Sequence, residues 1–109
     1  MTTLLALDIG GTKVGWGIVE AGDTYEVTER GSIPTDAMRG GADVAARICD
    51  LASSLVASHP QVSGVAVASA GVVDPSTGDI VSATGTMPGW GGTHLGALLQ
   101  EATGLKVRV

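Results

Sequence analysis

The stretch Leu4-Leu5-Ala6-Leu7-Asp8-Ile9-Gly10-Gly11-Thr12-Lys13-Val14-Gly15-Trp16-Gly17-Ile18-Val19 decides the fold. Its opening is an apolar run interrupted only by Asp8, the pattern of a strand buried on both faces. Gly10-Gly11 then lets the backbone turn sharply. Beyond the turn, Val14, Trp16 and Ile18 alternate with Gly15, Gly17 and Val19, which is the period of a second strand. A strand with glycines on one face must either be crowded there or be approached closely by something else. Ala21-Gly22-Asp23 supplies a further turn. Thr24 to Ile33 carries β-favouring residues, and Pro34 ends them. A three-strand antiparallel meander is expected over the first third of the chain.

The period then changes. Val44, Ile48, Leu51 and Leu55 lie on one helical stripe, predicting a helix from Gly41 to Ser58 that Pro60 stops. Val62 to Ser69 reads as another apolar strand. Ala70 to Gly92 reads as a long loop with a short strand at Asp79-Ile80-Val81, and loops of that length in compact domains tend to carry function. Thr93 is the expected cap of a second helix with apolar positions Leu95, Leu98, Leu99 and Ala102, ended by Gly104. Leu105 to Val109 begins a last strand. Strands that follow crossover helices lie parallel to one another. The order β-β-β-α-β-α-β is that of an α/β, ribonuclease-H-like nucleotide-binding domain of the actin and hexokinase type. Such a domain ordinarily has one more helix after its fifth strand. Residues 1–109 are therefore read as one incomplete lobe, with no linker or second domain legible.

Composition narrows the function. The chain is 44% apolar but holds only two Trp, one Tyr and no Phe, so its core must be built from Val, Leu, Ile and Ala. Its 17 glycines show no period, which excludes collagen and repeat arrays. Net charge is −5 and the six Lys and Arg residues are scattered, so nothing grips a nucleic-acid backbone or an anionic membrane. A single cysteine, Cys49, excludes an internal disulfide and a multi-cysteine metal site, and reads as a small buried apolar residue. With no basic-then-apolar leader and no apolar run of about 18 residues, a cytoplasmic protein with small-molecule partners is expected.

Three segments can carry chemistry. In Asp8-Ile9-Gly10-Gly11-Thr12-Lys13 the glycines leave room for a phosphate at the main-chain N–H groups, Thr12 adds a hydroxyl and Lys13 a point charge. Asp8, at the end of a buried strand, can hold Mg²⁺ directly or through water. The spacing is not that of a Walker A loop. The second segment, Ala68-Ser69-Ala70-Gly71-Val72-Val73-Asp74-Pro75, follows the carboxyl end of a strand, where open α/β sheets bind ligands. Gly71 would let a substrate approach, while Asp74 to Gly78 reads as a turn, the reading the segment favours when taken alone. The third is Thr84-Gly85-Thr86-Met87-Pro88-Gly89-Trp90: Thr86 can hydrogen-bond a hydroxyl, and Trp90 either packs a sugar face or anchors the loop in the core. His59 stands at a helix carboxyl end and His94 in a first turn, neither at metal-ligand spacing. Ser69 lacks the surroundings of a nucleophile.

Together these segments resemble the ROK family (repressors, open reading frames and kinases) over essentially the whole chain. Leu5 to Lys13 resembles its first phosphate motif, Ala70-Gly71-Val72-Val73-Asp74 its Gly-Pro-Val-Asp segment with Val72 in place of proline, and Pro88-Gly89-Trp90 its Pro-Gly-Trp. The resemblance implies transfer of the γ-phosphoryl group of ATP, with Mg²⁺, to a hexose or N-acylhexosamine, as in glucokinases. Asp8 and Lys13 would serve metal and phosphates, Gly10, Gly11 and Thr12 the phosphate cradle, and Gly71 and Thr86 the sugar. Thr86 stands where many members have an Asn that contacts the sugar. The family's catalytic base, an Asp in an Asn-Asp motif, is expected just past Val109. So are a structural zinc cluster and a second lobe, in a parent expected to be a homo-oligomer. The fragment alone is expected to be inactive.

Two alternatives differ in class. A sugar-sensing regulator of the same family usually carries a DNA-binding domain ahead of the phosphate motif, which here begins close to Met1. A ribonuclease-H-like nuclease needs several acidic residues converging on two metals, and only Asp8 sits suitably on a strand. A non-catalytic nucleotide-binding module is the remaining reading of the chain as it stands.

Overall fold

The meander forms as its alternation predicts. The structure, a computed structural model, describes residues 2–109. Strands β1 (Thr2–Ile9), β2 (Lys13–Ala21) and β3 (Tyr25–Pro34) pair antiparallel in sequence order. Helix α1 (Gly41–Ser58) returns the chain to β4 (Val62–Ser69), which pairs parallel with the other edge of β1, Leu5 opposite Val65 and Asp8 opposite Ala68. Helix α2 (Leu95–Thr103) leads to β7 (Lys106–Arg108), parallel to β4, so the sheet order is β3-β2-β1-β4-β7. Both crossovers are helical, as parallel pairing requires.

The core lies on one face of this sheet. Leu5, Leu7 and Ile9 of β1, Val14 and Ile18 of β2, and Val62 and Val65 of β4 are buried together with Val44, Ile48 and Leu55 of α1 and Leu95 and Leu99 of α2. Alternation puts Ala6, Asp8, Gly15, Gly17, Ala66 and Ala68 on the opposite face. The pairs Ala6–Gly17, Asp8–Gly15 and Ala6–Ala66 lie side by side there.

Two expectations need correction, and one element went unsignalled. The segment after β4 holds the expected short strand, β6 (Asp79–Ser82), but it is not otherwise a loop: β6 pairs with a further strand, β5 (Val72–Asp74), in a separate antiparallel hairpin. Its turn is the Asp74–Gly78 segment, where Asp74 Oδ1 accepts from the Ser76 amide (3.0 Å) and hydroxyl (2.7 Å). Those bonds, the hydroxyl's first, hold the Asp74 carboxyl below its ordinary range. Thr93 does not cap α2: His94 is the N-cap residue and no side chain bonds the first turn. His94 instead donates its Nδ1–H to Asp79 Oδ1 (3.0 Å), tying the helix start to the hairpin. A 3₁₀ turn at Ala37–Arg39, unsignalled by any period, precedes α1.

Candidate functional site

Asp8 and Lys13 both border the sheet face that carries no helix. Asp8 is exposed although its neighbours Leu7 and Ile9 are buried, because alternation turns it outward. A concavity of about 750 Å³ on this face is bounded by Asp8, Lys13, Gly15, Arg30, Ala66 and Ala68. A Cβ built on Gly15 would come no nearer than 3.9 Å to Asp8. The glycine face of β2 is thus open beside Asp8 rather than crowded.

The turn joining β1 to β2 is closed by the Gly10 N–H, which donates to the Lys13 carbonyl (3.0 Å). The Gly10 carbonyl accepts the Thr35 hydroxyl (2.6 Å), and the Thr12 carbonyl accepts the Thr35 N–H (3.0 Å). Among the described residues, the N–H groups of Gly11 and Thr12 donate to no protein acceptor. Neither Gly10 nor Gly11 has a left-handed backbone, and Cβ atoms there would lie 3.4 Å and 3.7 Å from their nearest neighbours, ordinary contacts. The glycines therefore spare space above the turn rather than strain within it.

The two later segments arrive at the same end of the sheet. The Ala70 N–H donates to the Ile9 carbonyl (2.8 Å), which sets Gly71 beside the end of β1. Gly71 has φ 95°, and a Cβ there would lie 2.6 Å from the Ser82 carbonyl, so hairpin geometry alone demands glycine. Thr86 borders Gly11: a Cβ on Gly11 would lie 3.7 Å from its carbonyl oxygen. The Thr86 hydroxyl is exposed and bonds the Thr84 hydroxyl (2.7 Å). Trp90 is fully buried and its indole N–H donates to Ser69 Oγ (3.1 Å), so it anchors the loop. Ser69 is thereby committed, its own hydroxyl donating to the Ala70 carbonyl (2.9 Å).

These three segments belong to one family pattern: residues 4–109 match the ROK family. The chain belongs to the ROK family. It is 32% identical over 102 residues to an uncharacterized protein of Clostridium perfringens, covering 93% of this chain and 33% of that protein. An inorganic polyphosphate/ATP-glucomannokinase from Arthrobacter is 28% identical with a TM-score of 0.71, over 98% of this chain and 43% of that one. A ROK family glucokinase from Streptomyces griseus, solved with glucose and AMPPNP, has a TM-score of 0.80 at 23% identity, over 98% and 32% of the two chains, and shows the shared fold. The chain spans about a third of the length of the curated relative it matches.

Other polar groups of this ROK chain have structural work. His59 Nε2 faces Glu29 (2.6 Å) and Nδ1 faces the Leu55 carbonyl (2.8 Å), and His94 has only Asp79. Among the described residues no three His, Cys, Asp or Glu side chains come together as a metal cluster. Burial pushes the Cys49 thiol up, with Asp50 and Glu101 adding to it, which makes the thiolate scarce. Cys49 lines a second concavity of about 800 Å³ between α1 and α2, bordered by Leu98 and His94 on the helix-bearing side and away from Asp8. Sequence reasoning missed Thr35 and Arg47, which stand directly behind the turn. A single Thr after a strand carries no spacing signal, and its partner carbonyl is 25 residues away.

No described helix is long and apolar enough to cross a membrane.

Proposed function

We propose that this chain forms the nucleotide-phosphate and metal side of an ATP-dependent sugar kinase, phosphorylating a hexose or N-acylhexosamine in the whole protein. The observation that carries this reading is that Asp8 and Lys13 border one open face and flank a turn whose Gly11 and Thr12 N–H groups are unengaged. One exposed carboxylate suits Mg²⁺, which keeps most of its waters and shares phosphate oxygens. Bound there, Mg²⁺ would neutralise phosphate charge. Lys13 would attract the same oxygens, and Gly11 and Thr12 would donate to them. Gly10 closes the turn, so its part in the cradle is to shape it. Thr86, adjoining Gly11, and the Gly71 backbone, adjoining β1, would border the sugar. The relatives named for ATP and glucose chemistry support this assignment.

Calorimetric titration of the 109-residue chain with MgATP tests it. Lys13→Ala should weaken binding by about tenfold, the worth of a charge-assisted phosphate contact. Asp8→Asn should abolish the dependence on Mg²⁺. Unaltered binding in both variants would overturn the assignment. Phosphoryl transfer also needs a base near the acceptor and a site closed to water. Asp8 is the only carboxylate bordering the concavity among the described residues. The 109-residue chain should therefore release no ADP above background with a panel of hexoses.

A further inference from the structure

The turn Gly10–Lys13 is gripped from behind. Thr35 is fully buried and is the one buried polar side chain among the described residues. Its hydroxyl donates to the Gly10 carbonyl (2.6 Å) and its N–H to the Thr12 carbonyl (3.0 Å), one on each side of Gly11. Thr35 is itself held by Arg47 of α1. The Arg47 guanidinium donates to the carbonyls of Thr35 and Pro34, the latter at 3.1 Å. Arg47 Nε donates to Asp43 Oδ2 (2.8 Å), which Arg39 also approaches (3.5 Å).

A peptide unit is planar and trans, so its C=O and the following N–H point in opposite directions. The Gly10 carbonyl and the Gly11 N–H share one such unit. Drawing that carbonyl inward onto the Thr35 hydroxyl turns the Gly11 N–H outward. We infer that Thr35, seated by Arg47, is a positioning residue that aims the Gly11 N–H at the phosphate site. It touches no ligand and acts through the backbone of the turn. The inference rests on the reading of that turn as a phosphate cradle.

Amide NMR of the 109-residue chain with a MgATP titration tests it. Thr35→Val keeps the shape and removes the hydroxyl, while Thr35→Ser keeps the hydroxyl. In Thr35→Val the Gly11 amide resonance should move and its exchange should change, with the amides of β4 and α1 unmoved. Thr35→Ser should restore it. Affinity for MgATP should fall by about tenfold in Thr35→Val, the scale of one buried hydrogen bond, and recover in Thr35→Ser. Arg47→Met should displace the same Gly11 resonance. The inference is overturned if the Gly11 amide is unmoved in Thr35→Val, or if the Ser and Val variants are equally impaired. It is overturned too if Thr35→Val binds MgATP like wild type while Lys13→Ala does not. Failure of the cradle reading shows separately, as Lys13→Ala binding MgATP unaltered, and the Gly11 amide still decides how Thr35 acts on the turn.

Discussion

Gly11 and Gly71 are both glycines of the candidate site, and they are glycine for different reasons. Gly71 needs a left-handed backbone and has the Ser82 carbonyl where a Cβ would sit. Gly11 needs neither: its nearest prospective neighbours are the Thr86 carbonyl at 3.7 Å and Met87 Cγ at 3.8 Å. Gly11→Ala should therefore shift stability by less than about 1 kcal/mol in thermal unfolding. A methyl standing over the free N–H should nevertheless cost severalfold in MgATP affinity by calorimetry. Loss of folding in that variant would contradict the open-space account. The turn itself was readable from sequence because Gly10-Gly11 breaks an apolar strand run and a second alternating run follows. Thr35 was not, since its role exists only once β3 is folded beside the turn.

At the scale of elements, the two glycines at the start of α1 and in the Pro88-Gly89-Trp90 loop lock together. A Cβ on Gly41 would fall 2.0 Å from the Gly89 carbonyl oxygen. Helix propensity alone favours Gly41→Ala by roughly 1 kcal/mol. Backbone cannot yield as a side chain can, so the variant should instead be destabilised by about 3 kcal/mol, measured by urea unfolding. A neutral or stabilising result would show that the loop does not pack on α1 as described. The bounds of α1 and β4 were legible because each has a long, single periodicity. Of the hairpin, β6 was legible at Asp79-Ile80-Val81 but β5 was not, because a strand of three residues is too short to display alternation. The capping expectation failed at Thr93 because the chain enters α2 through His94, whose ring bonds the hairpin instead.

Across the whole molecule, stability should have a maximum in mildly acidic solution. His59 joins β3 to the end of α1, and both its ring nitrogens face acceptors, so the pair is complete only in the doubly protonated ring. Its pKa is raised above the ordinary 6.5, first by Glu29 and then by the Leu55 carbonyl. This contribution is whole below 6.5 and is lost as pH climbs through the raised value. Asp43, lowered chiefly by its bond from Arg47, and Asp74, lowered by Ser76, act oppositely. Their contributions are present above the ordinary 3.8 and vanish as pH falls through the lowered values. Denaturation midpoints across pH should decline on both sides, and His59→Gln should flatten only the alkaline limb. An alkaline limb unchanged in that variant would discard the His59 assignment.

The strand order also implies an order in time. β1 is central: it meets β2 across the turn at Gly10–Lys13 but meets β4 only after α1 has been traversed, with Thr3 opposite Val62. Closing a hairpin over the three residues Gly10–Thr12 sacrifices far less chain entropy than closing that crossover. The turn can therefore take its bend in the earliest pairing, yet its final aim must wait until α1 brings Arg47 to Thr35.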